Sequence, residues 1–203
     1  MMQVVNGILM LARFQAEGFK PFTATPLGFM NSLAPMMAIT VVAALRPLLA
    51  GNLRALALHV LTSLIALLGP PVLSHLVARA WKREAEWMRY IVAFNWCQAV
   101  VTLVTVVLIL MLAIGGGVGA GGAGLVAAVG GVLIYWIVLC WFMAWRGLGL
   151  GKLRSVLAVI VINVGTGLLV MGPQMLSIAM SGAVGAAGVG ATGVGTTGRG
   201  VVP

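Results

Sequence analysis

The sequence predicts an all-α fold: a polytopic membrane helix bundle of about five transmembrane helices, with an N-terminal interfacial amphipathic helix. Hydrophobic residues make up 62% of the chain and charged residues only 7%, whereas soluble domains carry about a quarter charged residues. The apolar residues form runs of about twenty or more, long enough to cross roughly 30 Å of hydrocarbon. The few Lys and Arg residues flank these runs, as in membrane proteins.

The first twenty residues, 1–20, are predicted to form one amphipathic helix that lies in the membrane interface. Polar residues recur at helical spacing along one stripe of this segment, with apolar residues on the rest of the helix. The stripe consists of Gln3, Asn6, Arg13, Glu17 and Lys20. It is either the solvated side of a membrane anchor or a docking face for a partner.

Residues 21–176 are predicted to form the five-span bundle. The spans cover residues 27–45, 55–77, 90–114, 125–145 and 156–176. All must be helical, because an unpaired backbone group in lipid costs several kcal/mol.

Two glycine-rich stretches are predicted to be flexible, since glycine at high density disfavours an isolated helix. Residues 115–124 connect the third and fourth spans, and residues 177–203 form a tail. An alternative is that residues 175–195 enter the membrane as a sixth helix of small side chains.

The distribution of Lys and Arg predicts the orientation. The N-terminal segment and the second-to-third and fourth-to-fifth connections carry nine of these residues, and the other side carries three. By the positive-inside rule, the N-terminus lies in the cytoplasm and the chain is a multi-pass protein of the inner (cytoplasmic) membrane. The net charge of +9 does not indicate nucleic-acid binding, because the cations are dispersed between apolar runs. The lipid bilayer is the expected partner.

A polar face is predicted on the third span, where four residues recur at spacings of three, four and three. Because an amide exposed to lipid is unfavourable, this face should look into the bundle, with partners on the first and fifth spans. The face consists of Asn95, Gln98, Thr102 and Thr105, and its candidate partners include Asn163, Asn31 and Ser32. Two hypotheses stay open: hydrogen bonding between helices, or a pocket for a polar ligand or lipid headgroup.

Acidic residues are confined to polar segments. The chain has three, Glu17, Glu84 and Glu86, and the predicted spans contain neither Asp nor Glu nor Lys. Proton-coupled transporters and membrane enzymes typically place ionisable groups inside the bundle. The sequence therefore predicts no enzymatic activity and no cofactor.

Histidine and cysteine spacing gives little support for a metal or haem site. His59 and His75 lie sixteen residues apart on one span, about 24 Å along the helix axis, so they cannot both bind one haem iron. Cys97 and Cys140 are expected at similar depth near the level of His75, but a structural zinc site needs four ligands. Both cysteines are interpreted as small buried side chains.

Two stretches, residues 90–96 (YIVAFNW) and 141–149 (WFMAWRGLG), resemble segments of small bacterial polytopic proteins that are similar to the Yip family. The resemblance covers residues 18–172 in general layout. It implies a five-span bundle with a cytoplasmic N-terminus and a scaffold or adaptor role, and it implies no functional residues.

Two functions fit these observations. The preferred one is a non-enzymatic membrane scaffold or accessory subunit of a membrane complex, with other membrane-protein subunits or further copies of the chain as partners. The alternative is a small-molecule or lipid carrier or channel that uses the polar face of the third span as its lining, with helix-bending prolines in the first and second spans.

Overall fold

The computed structural model describes residues 2–114 and 123–191, and side chains within residues 2–114 and 124–175. These residues form helices joined by turns. The helices are α1 (Met2–Ala12), α2 (Pro26–Leu49), α3 (Leu53–Ala80), α4 (Glu84–Ile114), α5 (Ala123–Gly147) and α6 (Lys152–Ala191), with a 3-10 turn at Ala16–Phe19. The predicted all-α fold is confirmed. Most of the glycine-rich connection 115–124, and residues 192–203, lie outside the described residues.

Five of the helices, α2 to α6, are long and apolar enough to cross a membrane. Each predicted span lies within one of them, so the chain is an integral membrane protein of the predicted helical class. Side-chain caps fix where the first two spanning helices begin: Thr25 accepts a hydrogen bond from Gly28 N, and Asn52 accepts one from Ala55 N.

The N-terminal segment departs from the prediction of one helix over residues 1–20. Helix α1 ends at Ala12, Phe14 adopts a left-handed backbone (φ 58°), and the chain folds back into the 3-10 turn. Helix α1 and the 3-10 turn approach each other closely at two glycines, since a Cβ on Gly18 would lie 2.8 Å from Gly7 O. The predicted stripe therefore spreads over two backbone segments instead of one helical face.

Helix α6 also departs from the prediction. It continues without interruption to Ala191, so residues 177–191, predicted as flexible tail, extend the fifth spanning helix and do not start a sixth. Alanine and valine separate the glycines in this stretch. Once a helix is formed, each further residue adds one backbone hydrogen bond, so α6 can propagate beyond its spanning part.

The spanning helices form a ring in the spatial order α2, α4, α5, α6, α3, and α3 also contacts α4 across the ring. We call the end that carries the α3–α4 and α5–α6 connections the basic end, because Arg79, Lys82, Arg83, Arg146 and Lys152 lie there. The 3-10 turn packs at this end: a Cβ on Gly147 would lie 2.8 Å from the Phe19 ring.

The packed core lies towards the basic end. Most of its members come from the first half of α4, the last turns of α5 with the residues that follow it, and the N-terminal segment, for example Tyr90, Ile91, Met143, Leu148 and Leu11, and α3 and α6 contribute the rest. Beyond Ala99 the rest of α4, described through Ile114, has no buried residue. The far half of the bundle is therefore loosely packed and exposes apolar side chains to its surroundings.

Candidate functional site

The N-terminal segment packs across α4 and α5. The hydroxyl of Tyr135 on α5 donates a hydrogen bond to Ala12 O at 2.8 Å. The ring of Phe14 meets Tyr135 and Phe142 edge-on, with centroids 6.0 and 5.5 Å apart. With Ile8 and Leu11 buried beneath it, α1 is an integral part of the bundle wall. Sequence reasoning missed Tyr135, because a single tyrosine in an apolar span has no periodic signal.

The predicted docking face is exposed. Its residues lie on α1 (Gln3, Asn6), just after its end (Arg13), in the 3-10 turn (Glu17) and directly after that turn (Lys20), and all five have exposed side chains. Glu17 and Lys20 form an ion pair at 3.8 Å with both side chains mostly in the open, which contributes little to stability. Docking at this surface stays a prediction.

Asn95 provides the polar link between two spanning helices. Its side chain is buried, and Nδ2 donates to Ser32 Oγ at 3.0 Å. Ser32 in turn donates to Phe29 O at 2.7 Å. Ser32, one of the candidate partners of the polar face, is thus the partner of Asn95, and this hydrogen bond joins α4 to α2. Asn31, beside Ser32, is exposed.

Gln98, Thr102 and Thr105 face a different neighbour. They are half-buried and line a groove of about 250 Å³ between α4 and α5, opposite Val129, Leu133 and Trp136. We call this the α4–α5 groove. Thr105 donates to Val101 O of its own helix at 2.7 Å. Within the described part of the chain, the side chains of Gln98 and Thr102 make no hydrogen bond.

Asn163 is separate from the other predicted polar residues. It lies on α6, half-buried, and Nδ2 donates to Val159 O of the same helix at 2.9 Å. Helix α6 packs against α3 and α5, and among the described residues it does not contact α4. The structure therefore brings together Gln98, Thr102 and Thr105, places Asn95 one step away against α2, and leaves Asn163 apart.

The two histidines lie at different helix contacts. His59 Nε2 is 3.3 Å from Thr40 O of α2. The His75 ring meets Trp87 edge-on with centroids 4.6 Å apart, and Trp87 Nε1 donates to Ser74 Oγ at 3.0 Å. The described residues contain no group of three or more His, Cys, Asp or Glu side chains that could hold a metal ion.

A second groove lies between α1, α2 and α4 and has a volume of about 740 Å³. We call it the α1–α2–α4 groove. Its wall includes Val5 and Ile8 of α1, Asn31 and Pro35 of α2, and Val92, Trp96 and Val100 of α4. A third cavity of about 430 Å³ lies on the other side of α1, against α4 and α5. Its lining is almost wholly apolar, with Tyr135 as the main polar residue.

No protein-family model, curated protein or solved structure matches the chain. The resemblance to the Yip family accordingly stays a prediction.

None of the three grooves has an Asp, Glu, Lys or Arg among its lining residues. Glu17 and Glu84 are exposed and pair with Lys20 and Arg79, each at 3.8 Å, and Glu86 is exposed in the first turn of α4. The grooves are lined by apolar side chains, hydroxyls and amides. Such surfaces are suited to binding hydrocarbon or another helix.

Proposed function

We propose that the chain is a non-enzymatic scaffold or accessory subunit that binds a transmembrane helix of another membrane protein in the α4–α5 groove. The observation that carries this proposal is the position of Gln98 and Thr102, which line an open groove in the loosely packed region and make no hydrogen bond within the described residues. A partner helix would satisfy both side chains.

The polar side chains of this groove face lipid and not water. A polar side chain that faces hydrocarbon without a hydrogen bond is costly. Hydrogen bonds between membrane helices contribute about 0.6 kcal/mol each on average and at most about 1.7. The residues of α4 beyond Ala99 are all exposed or half-buried, so a docked helix would also gain close van der Waals packing there.

The alternative function, a carrier or channel lined by the third span, has less support. Asn95 is already bonded to Ser32, and Thr105 bonds its own helix. The polar stripe is thus divided between a helix contact and a shallow groove, whereas a translocation path needs a continuous polar lining.

The location follows from charge. The basic end carries most of the cations outside the N-terminal segment, and nine of the twelve Lys and Arg residues belong to the regions on its side. We propose that the basic end faces the cytoplasm across an inner membrane, with the N-terminus on the same side.

The test is in-cell photo-crosslinking with a photoreactive residue in place of Leu133, which lines the α4–α5 groove. Ile134 is the matched control position: it is exposed at the same depth and is not a groove residue. We expect a crosslink of one defined mass from position 133 only, lost in the Gln98→Leu/Thr102→Val variant.

The crosslinked product also distinguishes the possible partners. A product of twice the chain's mass identifies a homo-oligomer, and a product with another chain identifies the complex. Equal and unspecific products from both positions, or a product that persists in the Gln98→Leu/Thr102→Val variant, would contradict the proposal.

A further inference from the structure

We propose that the α1–α2–α4 groove binds one glycerophospholipid with an anionic headgroup, in the leaflet at the basic end. This inference is independent of the helix-docking function, because it concerns another groove and another class of ligand.

The length and lining of the groove fit an acyl chain. Its apolar wall comes from all three helices, and on α4 it runs from Val92 through Trp96 to Val100. Eight residues of helix span about 12 Å, and one leaflet contributes about 15 Å of hydrocarbon. The volume of about 740 Å³ is therefore extended along one leaflet and does not cross the bilayer.

Cations lie at the end of the groove that faces the basic end. Arg89 is exposed and precedes Val92 by three residues, so both lie on the same face of α4 with Arg89 one turn nearer the basic end. Lys20 directly precedes Pro21 and Phe22, which line the groove from the N-terminal segment. The exposed pair of Lys20 with Glu17 at 3.8 Å is weak and can exchange for a phosphate.

Polar side chains interrupt the apolar lining of the groove on the side of α2. Thr23 and Asn31 both line the groove and are exposed. Within the residues that the structure describes, the Asn31 amide makes no hydrogen bond. Asn31 lies only five residues after the start of α2 at Pro26. Because Ser32 bonds Asn95, Asn31 lies level with the middle of the α4 wall, and Thr23, which precedes α2, lies nearer the cations. The order along the groove, cations then a hydroxyl then a mainly apolar wall, matches the order of phosphate, ester and acyl chain in a phospholipid.

Helix α1 makes this groove a site of defined shape. Val4, Val5 and Ile8 form one of its walls, and the hydrogen bond from Tyr135 to Ala12 O fastens the end of that helix to α5. Lipid that merely surrounds a bundle meets a convex surface. An acyl chain in this groove would instead contact three helices, α1, α2 and α4.

The test is native mass spectrometry of the purified full-length protein, titrated with phosphatidylglycerol or with phosphatidylcholine of the same acyl chains. We expect one phosphatidylglycerol retained per chain, at least fivefold more than phosphatidylcholine. Lys20→Gln/Arg89→Gln should abolish this preference, while Arg154→Gln, which removes an exposed cation of α6, should preserve it.

Variants that fill the groove provide a second test of lipid binding, one that does not depend on charge. Ala34 lines the groove, whereas Ala38, one turn further along α2, is exposed and does not. Ala34→Phe should remove the retained lipid, and Ala38→Phe should leave it. If Ala34→Phe fails to fold, Val5→Phe fills the same groove from α1.

Equal retention of the two lipids by the wild-type protein, or unchanged retention in a folded groove-filling variant, would overturn the proposal in favour of ordinary surrounding lipid. Absence of a defined crosslink from position 133 in the otherwise wild-type protein, with lipid retention intact, would instead count against helix docking alone.

Discussion

Asn95 on α4 donates a hydrogen bond to Ser32 on α2 at 3.0 Å, joining residues 63 positions apart in the chain. Ser32 is the one buried residue of α2, whose side chains are all described. The remainder of α2 contacts its neighbours with half-buried apolar side chains. This polar pair is therefore the point at which the register of α2 against α4 is fixed.

We expect Asn95→Ala and Ser32→Ala to be coupled in a double-mutant cycle. Each single variant removes the same hydrogen bond, so the coupling free energy should be about 0.6 kcal/mol and at most about 1.7. The measurement is the free energy of unfolding in mixed detergent. Thr105→Val is the matched control, because the Thr105 hydroxyl bonds only its own helix. It should show no coupling to Ser32→Ala, and a zero coupling for Asn95 would contradict the role assigned to this pair.

Tyr135→Phe tests how α1 is held. The variant removes the hydroxyl that donates to Ala12 O at 2.8 Å and keeps the ring that packs on Phe14. We expect a loss of about 1 kcal/mol of stability, concentrated in the N-terminal segment. Hydrogen exchange should rise in residues 2–14 and stay unchanged in α6. If hydrogen exchange in residues 2–14 does not rise above that of the wild-type protein, α1 is held by other contacts.

Gly18→Ala should be more severe. Its Cβ would lie 2.8 Å from Gly7 O and 2.9 Å from Leu11 N, backbone atoms that cannot move without opening the fold-back of the N-terminal segment. We expect a lower midpoint of thermal unfolding and faster tryptic cleavage after Arg13, which is exposed between the two halves of the fold-back. Gly167→Ala is the matched control, because nothing lies within 4 Å of a Cβ at that position. Equal behaviour of the two variants would show that the close approach has no energetic role.

The positions of the spanning helices could be predicted from the sequence, because apolar length and backbone hydrogen bonding in lipid determine them locally. Helix neighbours could not. Ser32 and Asn163 were equal candidates as partners of Asn95, and only the ring order, which places α2 and not α6 beside α4, decides between them.

The two helix ends that were predicted wrongly have a similar explanation. The end of α1 at Ala12 depends on the contact between Gly7 and Gly18, two residues with no side chain to give a pattern. The extension of α6 to Ala191 runs against glycine's low helix propensity, a weak preference that the cooperative propagation of an existing helix can override.

Orientation in the membrane is open to a test with two matched cysteine variants. Ala50 and Ala85 are both exposed, Ala50 at the end of α2 away from the basic end and Ala85 in the first turn of α4 at the basic end. Neither substitution changes the charge distribution on which the positive-inside argument depends. Since Cys97 and Cys140 are buried, the wild-type protein should show little maleimide labelling of its own.

We expect a membrane-impermeant maleimide to label Ala50→Cys on intact cells, and Ala85→Cys only after the membrane is opened. The reverse pattern would place the basic end outside, and labelling of both variants on intact cells would mean that the chain does not separate the two compartments as a five-span bundle must.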